Sequence, residues 1–192
     1  MQGTKGRIIV ITGDGKGKTT SALGRAVRAI ESGKKVRMVQ FLKGGGYTGE
    51  LAAARIFGED FLIYQFGHGC PISEDIRSGK AMCIRCGTCF RENRNPIHDY
   101  AGKALKKAWE FVVDPVPKLL ILDEVSHAVR RDLISEAAVT ELLDKRAEGV
   151  DIVLTGRNMP RAIILRADEA VECRLIKHPL KKGIAARRGI EY

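Results

Sequence analysis

The chain has 192 residues, of which 44% are hydrophobic and 29% are charged, with no internal repeat or low-complexity segment. This composition is ordinary for a globular protein, and no apolar stretch approaches the roughly 20 residues that a membrane-spanning helix needs. The N-terminus runs straight into a predicted strand, which argues against a signal peptide. The sequence therefore predicts one cytoplasmic domain over residues 1–192.

The chain is strongly basic, with a net charge of +10. Such a charge favours an anionic partner, which is a nucleic acid, a membrane surface or a small phosphorylated molecule. Basic residues concentrate at Lys103–Lys107, Arg130–Arg131 and Lys181–Arg188, without the interleaved aromatic residues that stack on bases. We therefore expect a solvated basic surface and a polyphosphate pocket, in preference to a nucleic-acid or membrane interface.

The first predicted element is a buried strand, Ile8–Ile11, which leads into a glycine-rich turn and a helix. The turn ends in Gly17, Lys18 and Thr19, the core of the motif G-x-x-x-x-G-K-[ST], although Thr12 stands at the position of its first glycine. Glycines let backbone N–H groups converge on an anion at a helix N-terminus. The lysine can then reach the phosphates, and the threonine can reach magnesium. The predicted nucleotide-binding residues are Gly13, Asp14, Gly15, Lys16, Gly17, Lys18, Thr19 and Thr20.

The predicted helix after this loop continues with apolar residues at helical spacing until Ser32. Arg25 follows Lys18 by seven residues, or about two turns on the same helix face. Arg25 is therefore a candidate nucleotide contact. An exposed helical arginine is an equally good interpretation.

Residues 67–97 have no clear periodicity and contain four of the five cysteines. Because a structureless stretch of this length is usually functional, we predict a Cys-containing insertion or long loop. The spacing of Cys83, Cys86 and Cys89 is typical of ligands of a four-iron cluster, for which Cys70 would be the fourth ligand. Four thiolates also suit a structural zinc ion, and a set of free cysteines is the third interpretation.

A fully apolar predicted strand, Leu119–Leu122, ends in two carboxylates, Asp123 and Glu124. This pattern suits a central parallel strand with acids at its C-terminal edge. In phosphate-loop proteins an acid at this position holds magnesium directly or through water. We therefore predict magnesium ligands among Thr19, Asp123 and Glu124.

Strands alternate with helices along the rest of the chain. The strands are Val36–Leu42, Phe61–Gln65, Val150–Arg157 and Ala170–Leu175, and the helices are Glu50–Phe57, Asp99–Phe111, Glu136–Arg146 and Pro160–Ala167. This alternation predicts an α/β fold with a parallel sheet of about six strands and helices on both faces, of the phosphate-loop NTPase (RecA-like) class. Arg157, at a strand end, is expected to bind phosphates bidentately or to form a surface salt bridge. Cys173 is expected in the core.

Six segments resemble, in the same order, the ATP:corrinoid adenosyltransferases of the phosphate-loop type. They are Gly13–Thr20, Val39–Gly44, Leu122–Glu124, Val153–Arg157, Lys177–Pro179 and Gly189–Tyr192. The resemblance implies that the Co(I) of a corrinoid attacks the 5′ carbon of ATP and releases triphosphate, in adenosylcobalamin biosynthesis or salvage. Because Co(I) is already a strong nucleophile, the protein has to stabilise the charge on the leaving triphosphate.

The resemblance also implies roles for particular residues. Lys18, Glu124 and Arg157 would be catalytic, and Thr19 and Glu124 would lie close to Mg²⁺, with Asp123 beside them or one layer behind. Residues 177–192 would form a tail that closes over the nucleotide. The implied partners are ATP, a corrinoid, an electron donor such as a flavoprotein, and a second copy of the chain in a homodimer.

The cysteine pattern stands outside this resemblance. An iron–sulfur cluster would feed or gate the electron that makes Co(I), whereas zinc would only staple the loop. Two other functions remain open at this point. One is a phosphate-loop nucleoside kinase with a thiolate zinc site, and the other is a RecA-like, ATP-dependent nucleic-acid-binding protein, which would give salt-sensitive binding and ADP as product.

Overall fold

The computed structural model describes residues 5–45, 49–81, 83, 86–114 and 116–177. The strands are β1 Ile8–Thr12, β2 Lys35–Phe41, β3 Phe61–Phe66, β4 Pro117–Asp123, β5 Asp151–Thr155 and β6 Glu169–Glu172. The helices are α1 Lys18–Glu31, α2 Gly49–Ile56, α3 Ser73–Ser78, α4 Thr88–Glu92, α5 Tyr100–Val113, α6 Val125–Val129, α7 Glu136–Asp144 and α8 Arg161–Ile164. A single 3₁₀ turn, Gly58–Asp60, precedes β3.

The six strands form one sheet in the order β3-β2-β4-β5-β1-β6, and every neighbouring pair is parallel. This confirms the predicted α/β class and is consistent with a phosphate-loop NTPase-like fold. Strand β5 lies between β1, which leads into the glycine-rich loop, and β4, which ends in the carboxylates. Because all strands run the same way, their C-terminal ends meet at one edge of the sheet.

The four inner strands, β1, β2, β4 and β5, are mostly buried because both of their faces are largely apolar, whereas the edge strands β3 and β6 are more exposed. In β1, Ile8 and Val10 belong to one core cluster, whereas Ile9 and Ile11 belong to the other. This alternation follows the two-residue period of a strand. Helices α5, α6, α7 and α8 cover the first cluster, and α1 and α2 cover the second. The prediction of helices on both faces is therefore confirmed.

Residues 67–97 contain two short helices, α3 and α4, and are attached to the end of β2. The Asn93 side chain donates to Leu42 O over 2.7 Å and accepts from the His68 N–H over 2.6 Å. Gly44 forms a bridge with Gly69. The cysteine-containing segment is thus held beside the C-terminal edge of the sheet. That this segment is an insertion stays a prediction.

Several boundaries differ from the sequence-based ones. Helix α6 was not predicted, and α8 ends at Ile164 instead of Ala167. Strand β6 ends at Glu172 because residues 173–175 turn to contact the glycine-rich loop, where Gly15 N donates to Cys173 O over 2.8 Å. No helix within the described ranges is long and apolar enough to cross a membrane. Residues 178–192, most of the predicted closing tail, lie outside the described residues.

Candidate functional site

The glycine-rich loop runs from the end of β1 to the start of α1. Gly13 and Gly17 have φ angles of 106° and 103°, which L-residues rarely adopt. A Cβ atom at Gly13 would lie only 2.3 Å from Cys173 O, so the loop and residues after β6 pack backbone to backbone. These glycines fold the chain back so that α1 begins at Lys18, with its N-terminal N–H groups facing the hollow of the loop.

Lys18 is buried under this loop, and its Nζ donates to Gly15 O over 2.6 Å. Burial lowers the pKa of Lys18, and the nearby positive charge of Arg157 lowers it further, while Glu124 opposes the shift. The lysine, the arginine and the glutamate therefore share one electrostatic environment. The sequence prediction that strand ends would bring them together is met by this geometry.

Asp123 is the centre of a buried hydrogen-bond network. Its Oδ1 accepts from Thr19 Oγ1 over 2.9 Å and from Thr155 Oγ1 over 2.6 Å. Its Oδ2 accepts from Gln40 Nε2 over 2.9 Å and from Lys43 Nζ over 2.7 Å. A carboxylate has roughly four lone-pair positions, and four protein donors occupy those of Asp123. The Asp123 side chain therefore has no acceptor position left for a ligand.

Lys43 balances the charge of this network. Its ammonium group pairs with Asp123 over 2.7 Å and with Glu50 over 3.1 Å. Burial alone would lower the pKa of Lys43, but the two carboxylates outweigh it and raise the pKa. Burial would likewise raise the pKa of Asp123, but Lys43 and the hydrogen-bond donors hold it below its usual value. Both groups are therefore charged at neutral pH.

The register of the sheet explains why this network forms. Gln40 on β2 pairs with Gln65 on β3 and with Asp123 on β4, so the three residues lie in one row and point to the same face. Gln65 Nε2 donates to Gln40 Oε1 over 2.8 Å, and Gln40 Nε2 donates to Glu50 Oε1 over 2.9 Å. Sequence reasoning missed Glu50 and Gln65. A glutamine inside an otherwise apolar strand was the available signal.

Glu124 differs from Asp123 although the two are consecutive. It has a left-handed backbone with φ of 60°, and its N–H donates to Thr155 Oγ1 over 3.1 Å. Its Oε2 lies 3.7 Å from His127 Nδ1. Burial and the nearby Arg131 lower the pKa of His127. Among the described residues, the Glu124 carboxylate has no hydrogen bond to the buried network that holds Asp123.

Arg157 is exposed at the end of β5. The turn before it is fixed by Gly156, whose φ is 141° and whose added Cβ would lie 2.0 Å from Ser126 Oγ. Ser126 Oγ in turn donates to Arg157 O over 2.9 Å. Only glycine permits this approach, and the turn leaves the guanidinium available at the same edge as Lys18.

Comparison with known proteins identifies the family of this chain. The family described as ATP:corrinoid adenosyltransferase BtuR/CobO/CobP matches residues 4–192. The chain belongs to this family. The resemblance found in the six sequence segments is therefore confirmed, and the comparisons give no support to a nucleoside kinase or to a RecA-like nucleic-acid-binding protein.

Individual relatives are also named corrinoid adenosyltransferases, and each aligns with this chain over most of its own length. A corrinoid adenosyltransferase of Sinorhizobium sp is 36% identical over 190 residues, which cover 98% of this chain and 81% of that protein. One from Escherichia coli is 32% identical over 191 residues, covering 100% of this chain and 88% of the relative. The corrinoid adenosyltransferase CobA of Salmonella typhimurium is 31% identical, with the same coverage.

Arg25, the helical residue named as a candidate nucleotide contact, lies away from the loop. Its guanidinium pairs with Glu169 near the start of β6. The helix α1 runs from the C-terminal edge of the sheet toward the opposite edge, so seven residues carry Arg25 about 10 Å away from Lys18 along its axis. The structure therefore does not bring Arg25 to the phosphate loop.

The four cysteines of the predicted metal centre are also not brought together. Within the described ranges, no three His, Cys, Asp or Glu side chains are arranged to hold a metal ion. Cys83 and Cys86 are exposed, Cys70 and Cys89 are half-buried, and all are free thiols. Cys173 packs against the core under α1, as the sequence predicted.

Proposed function

We propose that this chain transfers the 5′-deoxyadenosyl group of ATP to the Co(I) of a corrinoid. The cobalt donates an electron pair to C5′, the C5′–O bond breaks, and its electron pair leaves with triphosphate. A cobalt–carbon bond forms, and Co(I) becomes Co(III). The observation that carries the proposal is the Thr19–Asp123 hydrogen bond of 2.9 Å, which joins the phosphate loop to the acidic strand in a member of this family.

The protein's contribution is to bind and stabilise the leaving triphosphate. Backbone N–H groups of Gly13–Thr19 and the N-terminus of α1 supply fixed dipoles, and Lys18 and Arg157 supply positive charge. Because the depressed pKa of Lys18 reflects burial, its charge acts in a medium of low dielectric constant, where it is strongest. No side-chain base is required, because no substrate hydroxyl is deprotonated.

The oxygen-bearing side chains beside the loop suit a magnesium ion, and the two acids, Asp123 and Glu124, would have different roles in holding it. All acceptor positions of Asp123 are filled by protein donors, one of them Thr19. Thr19 Oγ1, whose proton is directed at Asp123, keeps its lone pairs for a cation. We assign Thr19 and Glu124 as the residues that would hold magnesium, with Asp123 orienting Thr19. Magnesium there would neutralise charge on the triphosphate.

The test is to incubate the protein with ATP, magnesium and chemically reduced corrinoid and to identify the phosphate product by ion chromatography. We expect triphosphate in amounts equal to the cobalt–carbon bonds formed. In Lys18→Ala we expect a loss of about 10²–10³-fold in turnover, with exposed Lys106→Ala on α5 as the matched control. Release of ADP, or near-normal turnover by Lys18→Ala, would contradict the proposal.

A second proposal concerns Cys70, Cys83, Cys86 and Cys89, which we suggest bind a [4Fe–4S] cluster or zinc. The support is their sequence spacing. The four thiols lie apart in the structure, so metal binding would have to draw them together. Iron, sulfide and zinc are measured in anaerobically purified protein. Cys83→Ser should lose the metal, and Cys173→Ser, at a half-buried position against the core, should retain it. A metal-free wild-type protein would refute the proposal, and zinc without iron would exclude the redox role.

The partners follow from the same chemistry. Making Co(I) requires an external one-electron donor, for which we propose a reduced flavoprotein. We also propose that the reaction takes place in the cytoplasm, because it consumes ATP and needs a strong reductant. We also propose a homodimer, on the basis of the family resemblance. Replacing the chemical reductant by a reduced flavoprotein tests the first point, and sedimentation equilibrium tests the last.

A further inference from the structure

The edge of the sheet opposite the phosphate loop carries a second concentration of charge. A cleft of about 250 Å³ lies between α1 and the N-terminal ends of β1, β4 and β5. Its lining includes five cationic side chains and one acid, which are Arg7, Arg25, Arg28, Lys34, Lys118 and Asp151. We call this the basic cleft. Lys18 and Arg28 stand at the two ends of α1, about 15 Å apart along its axis, so the cleft is separate from the adenosyltransferase site.

Most of the charge in the basic cleft is uncompensated. Arg25 pairs with Glu169, and Asp151 Oδ1 accepts the backbone N–H of Arg7 over 2.7 Å. Within the described part of the chain, the side chains of the remaining four cations form no ion pair. The five cations, less the two acids Asp151 and Glu169, leave a net charge of +3 on this small concave surface.

Ordinary structural roles explain only part of this arrangement. Arg28 lies in the last turn of α1, where a cation complements the helix dipole. No such role applies to Lys34, which follows the helix, or to Lys118 near the start of β4. The parallel sheet brings the starts of distant strands to one edge, so these charges meet although they are far apart in the sequence. Like charges in a cleft repel one another, and their combined field attracts a multivalent anion.

We propose that the basic cleft binds a short polyphosphate chain, either as an inorganic anion or as part of a nucleotide. A chain of two or three phosphates carries several negative charges in one line and can contact arginine and lysine groups from α1, β1 and β4 together. Arginine contributes bidentate phosphate contacts. A single orthophosphate would reach fewer of these groups, so we expect it to bind much more weakly.

Calorimetric titration with inorganic triphosphate tests this inference without the transfer reaction. Wild-type protein should bind two equivalents, one at the phosphate loop and one at the basic cleft. Lys18→Ala should retain the cleft equivalent, and Arg28→Glu/Lys34→Glu should retain only the loop equivalent. Lys106→Glu/Lys103→Glu on α5 makes the same change in net charge elsewhere and should keep both equivalents. If charge reversal unfolds the protein, the milder Arg28→Gln/Lys34→Gln replaces it, and we expect its cleft to bind triphosphate at least tenfold more weakly than the wild-type cleft.

The pattern of losses separates the outcomes. If Lys18→Ala abolishes all triphosphate binding, the cleft does not bind polyphosphate and the inference is wrong. If Lys18→Ala leaves triphosphate binding unchanged, the phosphate loop does not bind triphosphate, and the proposed function is wrong instead. Repeating the titration with ATP and orthophosphate distinguishes a nucleotide from a free polyphosphate. Binding of a single-stranded oligonucleotide to the cleft without triphosphate binding would also overturn the inference.

Discussion

The two edges of the sheet hold their cations in opposite ways. At the C-terminal edge, Lys43 lies between Asp123 and Glu50, and within the described ranges no buried side-chain nitrogen or oxygen of that network lacks a hydrogen-bond partner. At the N-terminal edge, Arg25 of the basic cleft pairs with Glu169, but the other four cations have no ion pair among the described residues. The first arrangement is part of the folded structure and fixes side-chain positions. The second is a concentration of positive charge that a bound anion would neutralise.

This difference matters because charge has different consequences in the two environments. Asp123 is fully buried, so its charge is tolerated only with a cation and hydrogen-bond donors around it. The cations of the basic cleft border solvent, where water and salt screen their repulsion. Removal of one cation should therefore destabilise the protein at the C-terminal edge and stabilise it slightly at the N-terminal edge.

The largest expected effect is that of Lys43→Met. This change leaves the Asp123 carboxylate buried without its cation, which costs about 3 kcal/mol, the low end for a broken buried pair because the Lys43 side chain is 25% exposed. Urea unfolding measures the loss. Lys106→Met on the exposed face of α5 is the control and should change stability by less than about 0.5 kcal/mol. Equal losses in the two variants would remove the contrast between the edges.

The pH dependence of the stability lost in Lys43→Met tests the ion pair between Lys43 and Asp123. The pKa of Asp123 is lowered in the folded state, so its contribution is present above the unfolded pKa of about 4 and is lost as pH falls through the folded pKa. The pKa of Lys43 is raised, so its contribution is complete below about pH 10 and is lost only at higher pH. The contribution of the pair to wild-type stability should therefore stay constant from about pH 5 to 9. In Lys43→Met, burial without the cation raises the pKa of Asp123, so the stability difference between the two proteins should grow as pH rises from about 4. A difference that shrinks as pH rises toward neutral would contradict the pairing.

Glu124→Gln should separate chemistry from stability at the C-terminal edge. The Glu124 side chain is 24% exposed and has only a 3.7 Å contact with His127, so its neutralisation should change the free energy of unfolding by less than about 1 kcal/mol. If Glu124 holds magnesium, turnover should fall by about 10²-fold and require more magnesium. Steady-state rates against magnesium concentration check this, and the conservative Glu124→Asp should recover part of the activity. A large loss of stability with normal magnesium dependence would favour a purely structural role.

The fold was predictable because buried parallel strands are continuous apolar runs. The runs before Gly13 and Asp123 mark β1 and β4, and their polar ends mark the C-terminal edge of the sheet. The boundary of β6 was less accurate, because Cys173 leaves the strand to bond with a loop about 160 residues earlier in the chain. No local pattern encodes such a contact.

The candidate site was predictable only in part, for a similar reason. The motif located Lys18 and Thr19, but helical spacing alone could not show that Arg25 pairs with Glu169 at the far edge. The four partners of Asp123 come from three separate segments, and the row that joins Gln40 to Asp123 depends on strand order and register. The different surroundings of Asp123 and its neighbour Glu124 accompany a left-handed backbone angle at Glu124 that the sequence does not reveal.

The smallest expected effect tests the N-terminal edge. Arg28→Gln/Lys34→Gln removes two cations that repel their neighbours and have no ion pair to lose, so we expect a gain in stability of about 0.5 kcal/mol at low salt. The gain should disappear at about 0.5 M salt, where charges are screened over a few ångströms. With triphosphate present, the wild type should instead be the more stable protein, because only its cleft is stabilised by the bound anion. Thermal unfolding of wild type and variant, with and without triphosphate, measures both shifts. A variant that is less stable than wild type without any anion would mean that these cations have internal partners, and the contrast between the two edges would no longer hold.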